Sequence, residues 1–429
     1  MMLRTTRRRF ATGAATALAL PLALGAAGRK ALAETRLRLF WWGNPERDKR
    51  TFQVVDLYKK KFPDVQVDAE AIGWTDYWPK MATQASGRNM ADVVQMDYRY
   101  LYEYARRRQL EPLDDYMGQD LDLSRFDPEF LDSGRFQGEL YAVPWTVNSV
   151  ACYYDTVVAK QANVTMPDWR WTWDDLKKVA RELKKGAPEG YAAVADKGIW
   201  EPMLEFFVRQ RGKALYDEEG EIAFTQEDVA DYFGLWAGLR QEGLTPAADV
   251  TTRDIGGLDA LPITGRKCVI DFAHSNQVIG LQALVPNELG MTMLPNDPQG
   301  RPGQYLKPSM LISVSRTSQD KPAAVKLAGF LAYDLDAAAL LGVERGVPGD
   351  KRARDFLLDK VSPTERKMID YLDIVAGNVS PLPPPPPKGA GEVETLLRRF
   401  YPELAFGRMD VKEGAERFYK QAQAVIRRA

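Results

Sequence analysis

Aromatic residues stand beside planar polar ones at several places along this chain. Trp41-Trp42-Gly43-Asn44 is the first, with Arg47 close behind it. Trp74 and Trp78 bracket Tyr77. Asp97-Tyr98, then Trp145 with Asn148 and Ser149, then Ser275-Asn276 and Arg345 complete the set. Rings offer apolar faces on which C–H surfaces pack, and amides, carboxylates and guanidinium groups offer hydrogen bonds of fixed geometry. A molecule covered in hydroxyls but with apolar C–H faces needs both kinds of surface. The charged partners make the stronger bonds. Arg345, Arg47 and Lys307 extend the chemistry to an anionic group, which a guanidinium grips bidentately.

The same residues have plainer uses. Neighbours in a strand point opposite ways, so one of Trp41 and Trp42 is expected in the core and the other in a cleft. Tyr77 and Trp78 fit helix-face packing as well as a site. Asp97 could simply cap the helix that follows it, and Arg345 could hold a structural ion pair. Trp171, Trp173 and Trp236 read as core, and Arg106-Arg107-Arg108 as a solvated helix end. Catalysis has little to draw on. A single histidine, His274, excludes a multi-histidine metal site and argues against a Ser–His–Asp triad. Two cysteines, Cys152 and Cys268, exclude a disulfide framework and a Cys-rich zinc site, and both read as buried thiols. No catalytic residue, metal or cofactor is assigned, and the chain is read as a non-enzyme.

The elements that must position these residues alternate between short apolar runs and amphipathic helices, the pattern of an α/β sheet. Leu37–Trp42, Val65–Ile72, Asp92–Met96, Val150–Tyr154, Cys268–Phe272 and Met310–Val314 read as strands. Helices are expected over Thr51–Phe62, Asp76–Ser86, Tyr98–Arg108, Val229–Glu242, Gln277–Leu284, Pro322–Tyr333 and Val411–Arg428. Thr172-Trp173-Asp174-Asp175 reads as a capping box opening another. The candidate residues then fall at the ends of strands, where open α/β sheets place ligands. Pro383–Pro387, preceded by Pro381, must be an extended segment. A rigid strap across the surface is the expected role, although such a run can also recruit an aromatic-grooved partner.

With 429 residues, 45% of them hydrophobic and 27% charged, the chain suits two well-packed domains. Residues 1–33 carry Arg4, Arg7, Arg8, Arg9, Arg29 and Lys30 and no acid. Without those six bases the net charge of −1 becomes −7. That balance argues against nucleic acid as a partner. Thr6-Arg7-Arg8-Arg9-Phe10, a modestly apolar run and Ala31-Leu32-Ala33 read as a twin-arginine export signal cleaved after Ala33.

Four further stretches carry a resemblance. Phe40–Asn44 looks like a first strand with its binding loop. Thr83-Gln84, Gly87 and Ala91–Met96 look like a helix, turn and strand. Ser275-Asn276-Gln277 looks like a site loop, and Glu344–Pro348 like a returning hinge segment. In this order they resemble the sugar-binding family 1 of extracellular solute-binding proteins from ATP-driven importers, and Gly414–Ile426 fits as well. The departure is Ala273-His274, where an aromatic often precedes Ser-Asn. Phe272 or His274 would take that stacking role. The resemblance implies a type II periplasmic-binding-protein fold, α/β, with two hinged lobes around a central cleft. The lobes are placed at residues 34–146 plus 305–345 and 147–304 plus 346–429. It also implies a carbohydrate ligand, permease subunits of an ABC transporter as partners, a monomer, and a periplasmic location. The rivals are the same fold holding a polyol or glycerol phosphodiester, and a carbohydrate-active enzyme with a carboxylate pair.

Overall fold

Strand β1 (Thr35–Trp42) begins with alternating exposure and ends fully buried, as an inner strand covered on both faces does. A computed structural model describes residues 35–429 apart from 127, 255 and 256. The proposed export signal lies outside the described residues. β1 is flanked in parallel by β2 (Val65–Ile72) and β3 (Val93–Met96). The helix Pro45–Lys61 connects β1 to β2. Asn44 caps it by accepting from the backbone N–H of Glu46 and Arg47, and Pro45 occupies its first turn. It starts six residues earlier than the periodicity predicts, because cap chemistry rather than apolar spacing sets its first turn.

After β3 the chain makes the helix Tyr98–Arg106 and a small hairpin of β4 (Arg135–Phe136) and β5 (Glu139–Leu140). β6 (Val143–Asn148) then returns to the first sheet. One residue later β7 (Val150–Asp155) belongs to a second sheet. That second sheet also holds β8 (Ala192–Val194), β9 (Cys268–His274) and β10 (Leu289–Thr292) in the order β10-β7-β9-β8. β11 (Lys307–Val314) crosses back and inserts antiparallel between β6 and β3, and β12 (Val347–Pro348) closes the edge. The first sheet therefore runs β12-β6-β11-β3-β1-β2.

Each sheet carries its own apolar core. Leu37, Val54, Met81, Val93, Leu311 and Leu327 belong to the first. Leu176, Phe206, Trp236, Phe272, Leu397 and Phe418 pack on one face of the second, and Ala151, Tyr153, Leu281 and Met368 on the other. Two lobes follow from this arrangement, and Thr35–Ala429 hold together as one compact unit. Trp171 and Trp236 are core residues, and Cys152 and Cys268 are free, buried thiols. Thr172 does open a capping box, for the helix Trp173–Gly186. No helix among the described residues is long and apolar enough to cross a membrane.

Candidate functional site

β3 lies in the middle of its sheet, so the residues after its C-terminal end sit at the centre of the lobe's edge. Asp97 is the first of them. Its carboxylate caps the helix Tyr98–Arg106 by accepting from the Arg99 N–H, and it accepts a bond from Lys307 Nζ at 3.0 Å. Lys307 opens β11, beside β3, which explains the meeting of residues 210 positions apart. Burial alone would raise the Asp97 carboxyl pKa. The Lys307 and Arg99 charges outweigh it and hold the group below its usual range.

The next residue but one reaches the other lobe. The Arg99 guanidinium holds Glu201 at 2.9 Å and also pairs with Glu394, all three nearly buried. Two acids share one cation, and the second has Arg398 as well. Glu394 is therefore held below the ordinary carboxylate range, while burial pushes Glu201 up to about 7 against the pull of Arg99. Glu205, one helical turn after Glu201, accepts from Tyr305 Oη at 2.8 Å. The His274 ring meets Trp200 edge-on at 5.4 Å, and its Nδ1 is buried without a hydrogen-bond partner. Burial, with Lys307 nearby, drops the imidazole pKa to about 3, so it stays neutral.

Arg99, Glu205, Tyr305 and Lys307 are the shared wall of two small cavities between the lobes. The inner one, about 20 Å³, runs toward the crossing segments at Val150, His274 and Gln304. The outer one, about 30 Å³, is bounded by Tyr98, Glu201 and the prolines 383, 384 and 386. Such volumes admit water-sized occupants only.

A second group of sequence-predicted residues gathers beside the crossing segments. Arg47 grips Glu344 bidentately, Nε to Oε2 at 2.7 Å and Nη2 to Oε1 at 3.1 Å, and Asn44 Nδ2 donates to the same carboxylate at 2.8 Å. Arg345 bonds Gln95 and Thr51 and lies 4.8 Å over the Trp145 ring. Burial and the neighbouring Arg47 charge lower its pKa to about 9. Asn148 donates to Asn276 at 2.7 Å, and Ser275 and Ser149 exchange two bonds at the first crossing. Gly346 has φ +128, and a Cβ there would lie 2.5 Å from the Val147 carbonyl. Only glycine lets this segment pass so close to β6.

The aromatic expectations need correction. Trp41 and Trp42 are both buried, at 1% and 5% exposure, because both faces of β1 are covered. Trp41 donates its indole N–H to Asp48, whose carboxylate fills the space that Gly43 leaves open. Trp42 packs against Trp74, Tyr77 and Trp78. Trp78 stacks on Tyr100 at 3.7 Å, so it belongs to that cluster, while Trp74 is half-buried at its rim. Phe272 is wholly buried and cannot stack on a ligand. Arg47 is not free to grip an anion, since Glu344 takes it bidentately, and Arg345 gives Nε to Gln95 and Nη2 to Thr51, which leaves Nη1 buried without a partner.

Arg99, Trp200, Glu201, Glu205 and Tyr305 were not anticipated. The helix Glu201–Gln210 is buried nearly all round, and its polar stripe, Glu201, Glu205 and Arg209 four residues apart, turns to the cleft and not to solvent. Its signal is the pair of acids four residues apart in an otherwise apolar run.

Residues 45–333 match the model of the bacterial extracellular solute-binding protein family. A binding protein of Brucella abortus is 24% identical over 284 residues, covering 65% of this chain and 67% of the relative. An extracellular solute-binding protein family 1 structure from Alicyclobacillus acidocaldarius superposes with a TM-score of 0.69 at 26% identity, over 91% of this chain and 98% of that one. A periplasmic oligogalacturonide binding protein from Yersinia enterocolitica, solved with saturated digalacturonic acid, superposes with a TM-score of 0.83 at 21% identity, over 92% and 99%. A family match over two thirds of its length, joined to two lobes with crossing strands, places this chain in the bacterial extracellular solute-binding protein family.

Proposed function

We propose that this chain captures a neutral sugar or short oligosaccharide between its lobes and delivers it to the permease of an ABC importer, outside the cytoplasmic membrane. The observation that carries the reading is the wall of Arg99, Glu205, Tyr305 and Lys307 between the two lobes, with Asp97 paired to Lys307 behind it. It offers carboxylates and cations for hydroxyls, and Tyr305 and the half-buried Trp74 and Trp200 offer ring faces. Trp42 and Trp78 pack in their own aromatic cluster and Trp145 lies under Arg345, so none of the three lines the two cavities.

The cavities are too small for a sugar ring, so binding needs the lobes to part and close again. A ligand that touches both lobes only in the closed form shifts that equilibrium by its differential affinity. The fold of the oligogalacturonide binder supports a carbohydrate. The charges here favour a neutral one over a uronate, because the cations of the wall already hold acids: Lys307 holds Asp97, and Arg99 holds Glu201 and Glu394. Away from the wall, Arg47 holds Glu344. A thermal-shift screen of neutral oligosaccharides, uronates and polyols tests this. A ligand at 100 times its Kd adds about 2.7 kcal/mol of stability. Stabilisation by uronates alone removes the neutral-sugar reading, and stabilisation by polyols alone removes the sugar.

A further inference from the structure

Pro383–Pro387 leaves the core of the second lobe and runs to the helix Ala390–Ala405. It lies beyond the residues that match the family model. It is pinned at its start: Arg209 Nη2 donates to the Pro381 carbonyl at 2.7 Å, and the Ser380 N–H donates to Gln304 at 2.9 Å. At its end the Ala390 N–H donates to the Pro387 carbonyl at 3.2 Å, and Gly389 takes φ +93 before the helix begins. Between Leu382 and Lys388 the five prolines have a locked φ and no N–H, so the run is stiff and its carbonyls are acceptors only.

The strap's faces differ. Pro383 is buried, Pro384 and Pro386 are half-buried, and Pro385 is exposed. Three residues per turn put 383 and 386 on one face, and 383, 384 and 386 line the outer cavity. Pro383 also receives the Tyr98 hydroxyl of the first lobe at 3.3 Å. The inner cavity ends at the crossing segments, and the outer one ends at these prolines. A ligand lying along the shared wall therefore has fixed structure at both ends.

We propose that Pro384 and Pro386 form the end wall of the ligand site and set the length of the oligosaccharide it accepts. The proposal rests on the carbohydrate reading above. A mobile loop would yield to one more sugar unit, but a polyproline segment pinned at both ends does not. Its carbonyls accept from terminal hydroxyls and its ring edges pack on C–H faces.

The test is calorimetry of the full mature chain with neutral oligosaccharide series of one to five units. Wild type is expected to show a sharp loss of affinity beyond one particular length. The double variant Pro384→Ala/Pro386→Ala trims both rings and should bind the next longer member about tenfold tighter, the scale set by one or two methylene groups at a pocket wall. Pro385→Ala loosens the same backbone but faces solvent, and should keep the wild-type profile. An unchanged profile in the double variant, a shift of equal size in Pro385→Ala, or no length limit in wild type overturns the wall and leaves the carbohydrate reading standing. Failure of every series to bind either protein takes down the reading, and the wall with it.

Discussion

Two buried charge clusters lie near the lobe boundary, one beside the crossing segments and one across the cleft, and they are built differently. Beside the crossing segments, Glu344 is saturated by Arg47 and Asn44, and most of the Arg345 guanidinium is taken by Gln95, Thr51 and the Trp145 ring. In the cleft, Arg99 divides itself between two acids, Glu201 is pushed toward neutrality, His274 Nδ1 lacks a partner, and cavities adjoin them. The residue types are the same. Each cluster keeps a buried atom without a partner, Arg345 Nη1 in the first and His274 Nδ1 in the second. The first is a structural joint. What separates the second is that it holds an acid pushed toward neutrality and pairs groups from both lobes, so its bonds must break when the lobes part.

The largest expected effect breaks the joint. Glu344→Ala strands the Arg47 and Arg345 cations in the interior, and losing one member of a buried pair costs about 3–5 kcal/mol. Urea unfolding should show it as a lower midpoint. A variant with normal stability that fails to bind sugar would mean that the joint is itself the ligand site.

The cleft predicts the reverse balance. Asp97→Ala should weaken sugar binding by about 1–3 kcal/mol, because Lys307 loses its partner and the ligand loses an acceptor. It also removes a helix cap, worth about 0.5–2 kcal/mol of stability. Asp97→Asn retains an acceptor for the Arg99 N–H but not the charge for Lys307. Calorimetry in which Asp97→Asn restores stability but not affinity sharpens the comparison. Unchanged affinity in both variants removes Asp97 from the site.

The comparison also explains what could be read in advance. Strands β1, β2 and β3 follow from their apolar runs, and the positions just beyond β3 hold Asp97 and Tyr98, both read as ligand-binding; Asp97 bonds Lys307 in its own sheet, and Tyr98 reaches Pro383 of the other lobe. Asn44, Arg47, Asn148, Ser275, Asn276 and Arg345 are brought together, but as the joint. Residue types show that a group can bind and say nothing of whether the protein already occupies it. Glu201 and Glu205 sit on the polar stripe of their helix, and a polar stripe in the sequence reads as a solvent face, whereas here it is buried against the cleft. The prolines were read as a surface strap, since a run without N–H donors announces its shape but not what lies beneath it.

A pH profile separates the clusters with a smaller effect. Glu201 stands at about 7 in the fold against an ordinary 4.5, chiefly through burial. The folded carboxyl binds its proton more tightly than the unfolded one. Its contribution to stability is therefore complete below about 4.5 and is lost as pH rises through about 7. His274, held near 3 by burial, works the other way over part of this range, so the difference between two proteins is what isolates Glu201. Melting temperature should fall across that window more steeply in wild type than in Glu201→Gln. Parallel curves would mean that Arg99 fully compensates the burial.

The smallest effect comes from Tyr98→Phe, which deletes one hydroxyl and keeps the ring packed against Tyr102. That hydroxyl spans the lobes to the Pro383 carbonyl at 3.3 Å, a long bond, so its loss belongs at the lower end of the about 0.5–1.5 kcal/mol that a neutral hydrogen bond contributes. The ligand-free protein should melt only slightly lower. Affinity for sugar should hardly move if the bond serves closure alone, because the closed ligand complex retains every other contact. A loss of affinity well beyond that range would place the Tyr98 hydroxyl on the ligand itself, and the cleft would then begin at the first turn of its helix rather than at its cap.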